Sequence, residues 1–293
     1  EIKKIRKLEN KFVIDNNVYD YVINCTYYQK FVKDTAGVFY EVTASLIYKC
    51  FKKFPALTLW DNIYCQHKLI TEKLKIKKIA LVTGWSMAGC QSYQWAAQFP
   101  NMVKAILPFC ASSKTSIHNH VFLEGVKAAL VADKNWNKGN YKRQPVAGLR
   151  AFGRVYAGWA FSQNFYREKL FKKLGYKNSE ELLNDWAEDH AKNWDANNLL
   201  SKLKTWQLND ISRGPTYKNN YIKALKSIKA KTILMPCNQD LYFRTKDNEY
   251  EKRYIPRSSL RPINSSFGHC AANPGNDKKF EKELDKNIRE LLN

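Results

Sequence analysis

Short apolar runs alternate with segments of helical periodicity along most of this chain. Continuous apolar runs at residues 77–85 and 103–111 are typical of buried parallel strands, whose two faces are both covered by other elements. The segments 59–76 and 87–100 carry apolar residues at helical spacing, and the second stops at Pro100. This order of helix, strand, helix and strand predicts an α/β architecture with a mostly parallel central sheet.

A long stretch without any strand pattern interrupts this alternation. Residues 113–229 are mostly helical in period and rich in Trp, Tyr, Phe and charged residues. An apolar strand pattern returns at residues 230–243, and the chain ends in an amphipathic helix. We therefore expect residues 1–112 to form the first part of an α/β core, residues 113–229 a helical lid insertion, and residues 230–293 the remainder of the core.

The first 55 residues give weaker signals. Residues 12–26 suggest two short strands around an Asn-Asn turn, and residues 40–53 are ambiguous between helix and strand. The chain begins at Glu1 rather than Met, and no apolar segment follows, so we expect no signal peptide and a fragment or trimmed product. Because no run of about 18 apolar residues occurs, no membrane span is expected.

The formal net charge is +22, which taken alone favours nucleic acid or an anionic membrane as a partner. The lysines, however, are scattered singly or in pairs, as in FKKF and KIKKI, and no nucleic-acid-binding motif accompanies them. A solvated basic surface is the better interpretation, so we expect neither a nucleic-acid nor a membrane partner. Nucleic-acid binding stays open as an alternative that predicts a steep loss of affinity with salt.

The seven cysteines form no recognisable framework. Their number is odd and no C-x-x-C pair occurs, which argues against both a set of disulfides and a zinc site. We therefore expect mostly reduced, buried thiols in a reducing compartment, and a cytoplasmic location.

Ser86 stands between an apolar strand pattern and a helical one, in the sequence Gly84-Trp85-Ser86-Met87-Ala88-Gly89. A nucleophile elbow needs this arrangement, because a sharp turn lifts the serine hydroxyl out of the sheet and small neighbours let the strand and helix pass closely. The backbone N–H of Met87 would be one oxyanion donor. Ala88 stands where the usual motif has Gly, and an ordinary serine in a strand–helix turn is the alternative.

Chain order supports the catalytic interpretation. Asp240 follows the apolar run TILMPC, and His269 lies in a loop after the run SLRPINS. Both are expected at carboxyl ends of strands, where a parallel sheet carries its chemistry. The order serine, acid, histidine is that of α/β-hydrolase triads, in which His269 would accept the proton of Ser86 and Asp240 would fix the imidazole tautomer.

Other candidate sites are weaker. His118 and His120 resemble a metal-binding pair, but no acidic residue or cysteine stands at ligand spacing, so we expect no metal. Cys90 and Cys110 flank the elbow and raise the alternative of a thiol mechanism, although both stand in core-like contexts. No phosphate-binding loop and no dinucleotide fingerprint occurs.

Several segments together resemble the homoserine O-acetyltransferase-like branch of the α/β-hydrolase fold, from about residue 56 to the C-terminus. They are GWSMAGCQSYQWAAQFPNMV, VFLEGVKAAL, WDANNLL, QDLYF and GHCAANPG. The resemblance implies a triad of Ser86, Asp240 and His269, an acyl-serine intermediate, and a helical lid over a tunnel. It also implies transfer from acetyl-CoA to an amino-acid hydroxyl, with no cofactor and acyl-CoA as a candidate co-substrate.

The chain departs from the family pattern in its lid. Family acetyltransferases carry a Tyr-Arg-Ser triple there, whose arginine helps to hold the substrate carboxylate. The corresponding stretch here is WAFSQ, residues 159–163, which has no arginine. Arg150 and Arg154 are the candidates to compensate.

A second departure concerns the N-terminal part. No segment between residues 1 and 55 matches the strand and loop that supply the second oxyanion donor in the family. We therefore expect a sheet short of strands at its N-terminal side and an incomplete oxyanion site beside Ser86. Losing one donor typically costs about a hundred- to a thousand-fold in rate, so a slow catalyst is expected.

The expected function is serine-dependent acyl transfer or ester hydrolysis on small-molecule acyl donors and acceptors, with a homodimer as the assembly considered. The alternative is a catalytically weak or inactive α/β-hydrolase relative with a binding role. The lid should form a mostly apolar pocket above Ser86, and four aromatic residues are expected to line that pocket or to pack the lid. They are Trp159, Phe161, Trp194 and Trp206.

Overall fold

A five-stranded sheet, parallel throughout, forms the centre of the protein. The computed structural model describes residues 56–293 and, before them, the strand residues 5–8, 11–14, 17–19 and 22–24. The strands of the central sheet lie in the order β4–β5–β6–β7–β8 and are β4 (Val22–Asn24), β5 (Ile79–Trp85), β6 (Val103–Phe109), β7 (Lys231–Leu234) and β8 (Ser258–Leu260). The predicted mostly parallel sheet is confirmed.

A separate antiparallel sheet lies earlier in the chain. Its three strands are β1 (Ile5–Leu8), β2 (Lys11–Ile14) and β3 (Asn17–Tyr19), and β2 pairs with both neighbours. The two short strands predicted within residues 12–26 correspond to β2 and β3, and β4 follows them. The ambiguous segment 40–53 lies outside the described residues.

Each face of the central sheet packs on a different hydrophobic core, as the alternating side chains of β6 show. Leu107 and Phe109 point into one core, whereas Ile106 points into the other, as the alternation of a strand requires. The first core includes α10 (Lys278–Leu292) and much of the segment between β6 and β7. The second includes α1 (Leu59–Lys68) and most of α2 (Met87–Gln98), with the fully buried Trp95.

The segment between β6 and β7 is helical, as its periodicity predicts. Apart from one isolated bridge between Lys114 and Asp210, residues 113–229 contain no β-pairing. The six helices of this lid are α3 (Ile117–Val131), α4 (Val146–Ala160), α5 (Gln163–Arg167), α6 (Ser179–Asn193), α7 (Ala196–Gln207) and α8 (Tyr221–Lys226). The remaining helix, α9 (Thr245–Lys252), lies between β7 and β8.

The Asp-Ala-Asn triplet within the segment WDANNLL links two parts of the lid. The Asp195 carboxylate caps α7 by accepting a hydrogen bond from the N–H of Asn198, at 3.0 Å. Its other oxygen accepts from Tyr141 Oη and Gln144 Nε2, both at 2.6 Å. Asn197 Nδ2 donates to the carbonyl oxygen of Gly139 at 3.1 Å. The triplet therefore ties the loop before α4 to the start of α7.

Glycines let α4 approach its neighbours closely. A Cβ atom on Gly148 would lie 2.3 Å from the carbonyl oxygen of Leu130 on α3, and one on Gly153 would lie 2.5 Å from the carbonyl oxygen of Trp186 on α6. Gly158, on the exposed side of the same helix, has no heavy atom within 4 Å of such a Cβ. Across the described residues, no helix is long and apolar enough to cross a membrane.

We expect Gly148→Ala to destabilise the protein by about 1–3 kcal/mol, because the added methyl group forces α3 and α4 apart. Gly158→Ala on the same helix is the matched control. It should stabilise the protein by about 0.5–1 kcal/mol, because alanine favours the helix and meets open space. Chemical denaturation of the two variants measures both effects, and an equal response would contradict this account of the packing.

Candidate active site

Ser86 occupies a strained turn between β5 and α2. Its backbone has φ 60° and ψ −130°, a conformation that costs a non-glycine residue of order 1–3 kcal/mol. Two hydrogen bonds hold the turn: the Ser86 N–H donates to the Phe109 carbonyl oxygen at 3.2 Å, and the Cys90 N–H donates to the Ser86 carbonyl oxygen at 3.0 Å. The Ser86 side chain is half-buried. This is the geometry of a nucleophile elbow.

Two glycines make the turn sterically feasible. A Cβ on Gly84 would lie 2.7 Å from the Cβ of Ala88, and a Cβ on Gly89 would lie 2.4 Å from the Cβ of Ala111. Ala88 therefore fits at the position where the usual motif has glycine, because Gly84 leaves it the space. The departure from the usual motif is accommodated in the packing of the elbow.

Asp240 is fully buried just after β7, and three donors fix its carboxylate. Oδ1 accepts from the N–H groups of Tyr242 and Phe243, at 2.7 and 3.1 Å. Oδ2 lies 2.7 Å from Nδ1 of His269. These three contacts fix the carboxylate in the orientation that holds the imidazole of His269.

His269 lies in a 3₁₀ turn, Gly268–Ala272, and is 5% exposed. With Nδ1–H donated to Asp240, Nε2 is left as the acceptor nitrogen of the neutral ring. The imidazole packs against three aromatic rings, at centroid distances of 5.1 Å for Trp85, 4.7 Å for Tyr242 and 5.6 Å for Phe243. Trp85 directly precedes Ser86, so the imidazole packs on the residue before the elbow serine.

The lid touches the histidine loop at Gly268. This residue has φ 62°, and a Cβ on it would lie 2.7 Å from the backbone nitrogen of Ser162. Ser162 Oγ in turn donates to the Ser266 carbonyl oxygen at 2.5 Å and caps α5 by accepting from the Phe165 N–H. The serine of the lid stretch WAFSQ therefore helps to place the loop of His269, a role that the sequence did not reveal.

Met87 is the first residue of α2, where helical N–H groups lack an intrahelical acceptor. Its N–H is thus placed beside Ser86, as the oxyanion assignment requires. One strand from the N-terminal part, β4, lies beside β5, with Asn24 opposite Thr83. The residues that follow Asn24 lie outside the described part of the chain until residue 56, so the incomplete oxyanion site and the slow catalysis stay predictions.

Arg150 and Arg154, the candidates to compensate for the missing lid arginine, both pair with acidic residues of α6. Arg150 Nε pairs with Glu188 at 2.6 Å, and Arg154 Nη2 pairs with Glu180 at 2.7 Å. Their side chains are 49% and 40% exposed, and their role in binding a substrate stays a prediction. Phe161, in the middle of the lid stretch WAFSQ, is buried and stacks on Phe165 at 4.0 Å.

The four aromatic residues proposed for the pocket have different neighbours. Trp206 stacks on Phe243 at 5.4 Å and meets Tyr242 edge-on, so it joins the aromatic surroundings of His269. Trp159 contacts Phe122 at 4.7 Å. Phe161 packs within the lid as described above, and the ring of Trp194 faces that of His190 at 6.1 Å.

Trp206, Tyr242 and Phe243 form an aromatic wall beside His269, and sequence reasoning missed two further members of it. Phe122 lies 5.1 Å from Tyr242, and Tyr156 lies 5.3 Å from it. The Tyr242 hydroxyl donates to the Tyr156 carbonyl oxygen at 2.8 Å. Phe122 stands on an apolar helical stripe of α3, which was the only signal that could have pointed to it.

Cysteine chemistry is disfavoured at this site. Burial raises the pKa of the Cys90 thiol to about 12 and that of Cys110 well above its ordinary value, so both stay protonated. Cys110 nevertheless adjoins the pair: its sulfur, an Asp240 oxygen and a His269 nitrogen lie within 4.8 Å of one another. Among the described residues this is the only such grouping of three metal-ligand types, and His118 and His120 belong to none.

Comparisons with known proteins agree with this geometry. No family model matches the chain. The chain is 32% identical over 241 residues to an ethyl acetate hydrolase of Pseudomonas veronii and 31% identical over 242 residues to a probable esterase of Corynebacterium glutamicum. Each match covers 82% of this chain and 68% of the relative. A homoserine O-acetyltransferase of Trichormus variabilis is 29% identical over 224 residues, 74% of this chain and 61% of that protein.

A solved structure gives the same result. The acetyl esterase MekB superimposes with a TM-score of 0.78 at 32% identity, over 82% of this chain and 70% of that one. The chain belongs to the α/β-hydrolase fold family, in the group that contains acetyl esterases and homoserine O-acetyltransferases. It is an enzyme of the esterase and acyltransferase class.

We expect Asp240→Asn to lower kcat for an ester substrate by about 10³–10⁴-fold while the fold is kept. The asparagine oxygen can still accept from Tyr242 and Phe243, but its NH₂ group would face Nδ1 of His269. That contact favours the tautomer protonated at Nε2, which cannot accept a proton from serine. Asp285→Asn, which changes an exposed pair with Arg289, is the control. Equal rates in the two variants would contradict the assignment.

Proposed function

We propose that this protein is a serine esterase that hydrolyses short-chain acyl esters through an acyl-serine intermediate on Ser86. The observation that carries the proposal is the 2.7 Å hydrogen bond between Asp240 and His269, held beside an elbow in which Ser86 has φ 60°. A buried carboxylate, an oriented imidazole and a strained serine form a combination that simple packing does not require.

In this mechanism His269 Nε2 removes the hydroxyl proton of Ser86 while the Ser86 oxygen attacks the ester carbonyl carbon. The Met87 N–H stabilises the negative charge that develops on the carbonyl oxygen. His269 then returns the proton to the departing alcohol, and the acyl group remains on Ser86. In the second half, His269 activates a water molecule, the acid is released, and Ser86 regains its proton. Asp240 stabilises the imidazolium in both halves.

The lid favours uncharged substrates. The resemblance places an arginine that binds a carboxylate in the middle of the lid triple, and Phe161 occupies that position here. Its ring is 3% exposed and packs against Phe165, Tyr166 and Trp186. A buried phenyl group offers no charge to an amino-acid substrate, so simple esters fit better than homoserine. Two relatives named above, an ethyl acetate hydrolase and an acetyl esterase, support the same choice.

Acyl transfer from acyl-CoA to an amino-acid hydroxyl is the second candidate, supported by the homoserine O-acetyltransferases among the relatives. A weak or inactive relative with a binding role is the third. We also propose a cytoplasmic location, supported by five free cysteines among the described residues, four of them buried.

The test compares hydrolysis of ethyl acetate and p-nitrophenyl acetate with transfer from acetyl-CoA to homoserine. We expect ester hydrolysis to exceed transfer, and Ser86→Ala to abolish it. Ser179→Ala, an exposed serine at the start of α6, should keep full activity. Faster transfer than hydrolysis would establish the second candidate. No turnover of any substrate would favour the third.

A further inference from the structure

Glu251 is a buried carboxylate that the esterase mechanism does not use. It lies on α9, is 1% exposed, and accepts four hydrogen bonds. One oxygen accepts from the N–H and the hydroxyl of Ser113, at 2.6 and 2.8 Å. The other accepts from Tyr93 Oη at 2.5 Å and from Asn248 Nδ2 at 2.7 Å. A carboxylate is the only side chain of this shape that accepts at both ends.

The network joins both ends of the lid to the core. Ser113 is the residue at which the chain leaves the core for the lid, and Tyr221 opens α8, the last lid helix. The Tyr221 hydroxyl lies 2.6 Å from Ser113 Oγ, which itself donates to Glu251. Tyr93 belongs to α2 and Asn248 to α9, so a single carboxylate connects the two lid ends with two core helices.

From Ser113 the contacts continue to the aromatic wall. The Ser113 carbonyl oxygen accepts from the Ile211 N–H at 3.1 Å, and Thr115 Oγ1 donates to the Trp206 carbonyl oxygen at 2.6 Å. Residues 113–115 therefore fix the start of α3, which carries Phe122, and the end of α7, which carries Trp206. Both of these rings contact Tyr242 beside His269.

A different set of contacts holds the nucleophile and the histidine in place. The elbow is held by the bond from the Ser86 N–H to the Phe109 carbonyl oxygen and by the packing of Gly84 against Ala88. His269 is held by Asp240. Neither set includes Glu251, so loss of its hydrogen bonds should disturb the lid wall and leave the triad in place.

We propose that Glu251 is a positioning residue that fixes the lid over the active site and thereby sets the binding of the ester substrate. The proposal rests on the proposed function for its kinetic readout. Burial raises the pKa of Glu251 to about 7, so the tests are run at about pH 8.5, where the carboxylate that accepts all four bonds predominates.

The test replaces Glu251 by Gln, which keeps the shape but turns one acceptor oxygen into an NH₂ donor facing other donors. We expect KM for p-nitrophenyl acetate to rise about tenfold and kcat to change by less than about threefold. The rate at which methanesulfonyl fluoride, a very small reagent, modifies Ser86 should stay within about twofold of wild type. A merely structural role would lower the apparent kcat and the extent of methanesulfonyl modification in proportion to the folded fraction, and would leave KM unchanged.

Glu249→Gln is the matched control, because Glu249 lies on the same helix and pairs only at the surface with Lys246. It should leave KM unchanged. If Glu251→Gln does not fold, Ser113→Ala and Tyr221→Phe can replace it, because each removes part of the network. Each should also raise KM with little change in kcat, by a smaller factor than Glu251→Gln. A KM equal to that of the control, or a parallel loss of methanesulfonyl modification, would overturn the proposal.

Hydrogen exchange separates this proposal from the proposed function. Amides of residues 113–117 and 221–226 should exchange faster in Glu251→Gln than in Glu249→Gln, whether or not the protein hydrolyses esters. If this exchange difference appears but the wild-type protein hydrolyses no ester, only the esterase function is refuted. Unchanged exchange at both lid ends would refute the anchoring role alone.

Discussion

The hydrogen bond between Asp240 and His269 is the interaction on which the site depends. It joins the loop after β7 to the loop after β8, and each loop is fixed at its own end. The N–H groups of Tyr242 and Phe243 orient the carboxylate, while contact of Gly268 with Ser162 orients the turn of the histidine. Because the pair is buried among aromatic rings, its electrostatic attraction is stronger than in water.

The lid and the sheet share one apolar core, while the nucleophile belongs to the sheet side. There, glycines let β5 and α2 approach within van der Waals contact, which accommodates the strained conformation of Ser86. The lid meets the histidine loop at Ser162 and reaches the core helices through the hydrogen bonds of Glu251. The proposed function assigns chemical reactivity to the core and substrate selection to the lid.

The sequence predicted the core well because its signals are local. Ser86, Asp240 and His269 each follow an apolar run, and carboxyl ends of parallel strands meet at one edge of a sheet. Strand β4 lies within the predicted strand segment 12–26, but its pairing with β5 could not be predicted because the two strands are distant in sequence. The ion pairs of Arg150 and Arg154 could not be predicted, because helical spacing does not reveal which turn of α4 meets the acids of α6. The position of Phe122 depended on lid packing, which no local pattern encodes.

The central claim, that Ser86 carries the acyl group, is tested most directly by trapping the intermediate. The protein is mixed with p-nitrophenyl acetate, quenched with acid within the first turnover, digested, and analysed by mass spectrometry. The account predicts an acetyl group of about 42 Da on the peptide that contains Ser86, and none on that peptide in Ser86→Ala. Ester hydrolysis that proceeds with no acetyl group on Ser86, or with the group on a cysteine instead, would contradict it.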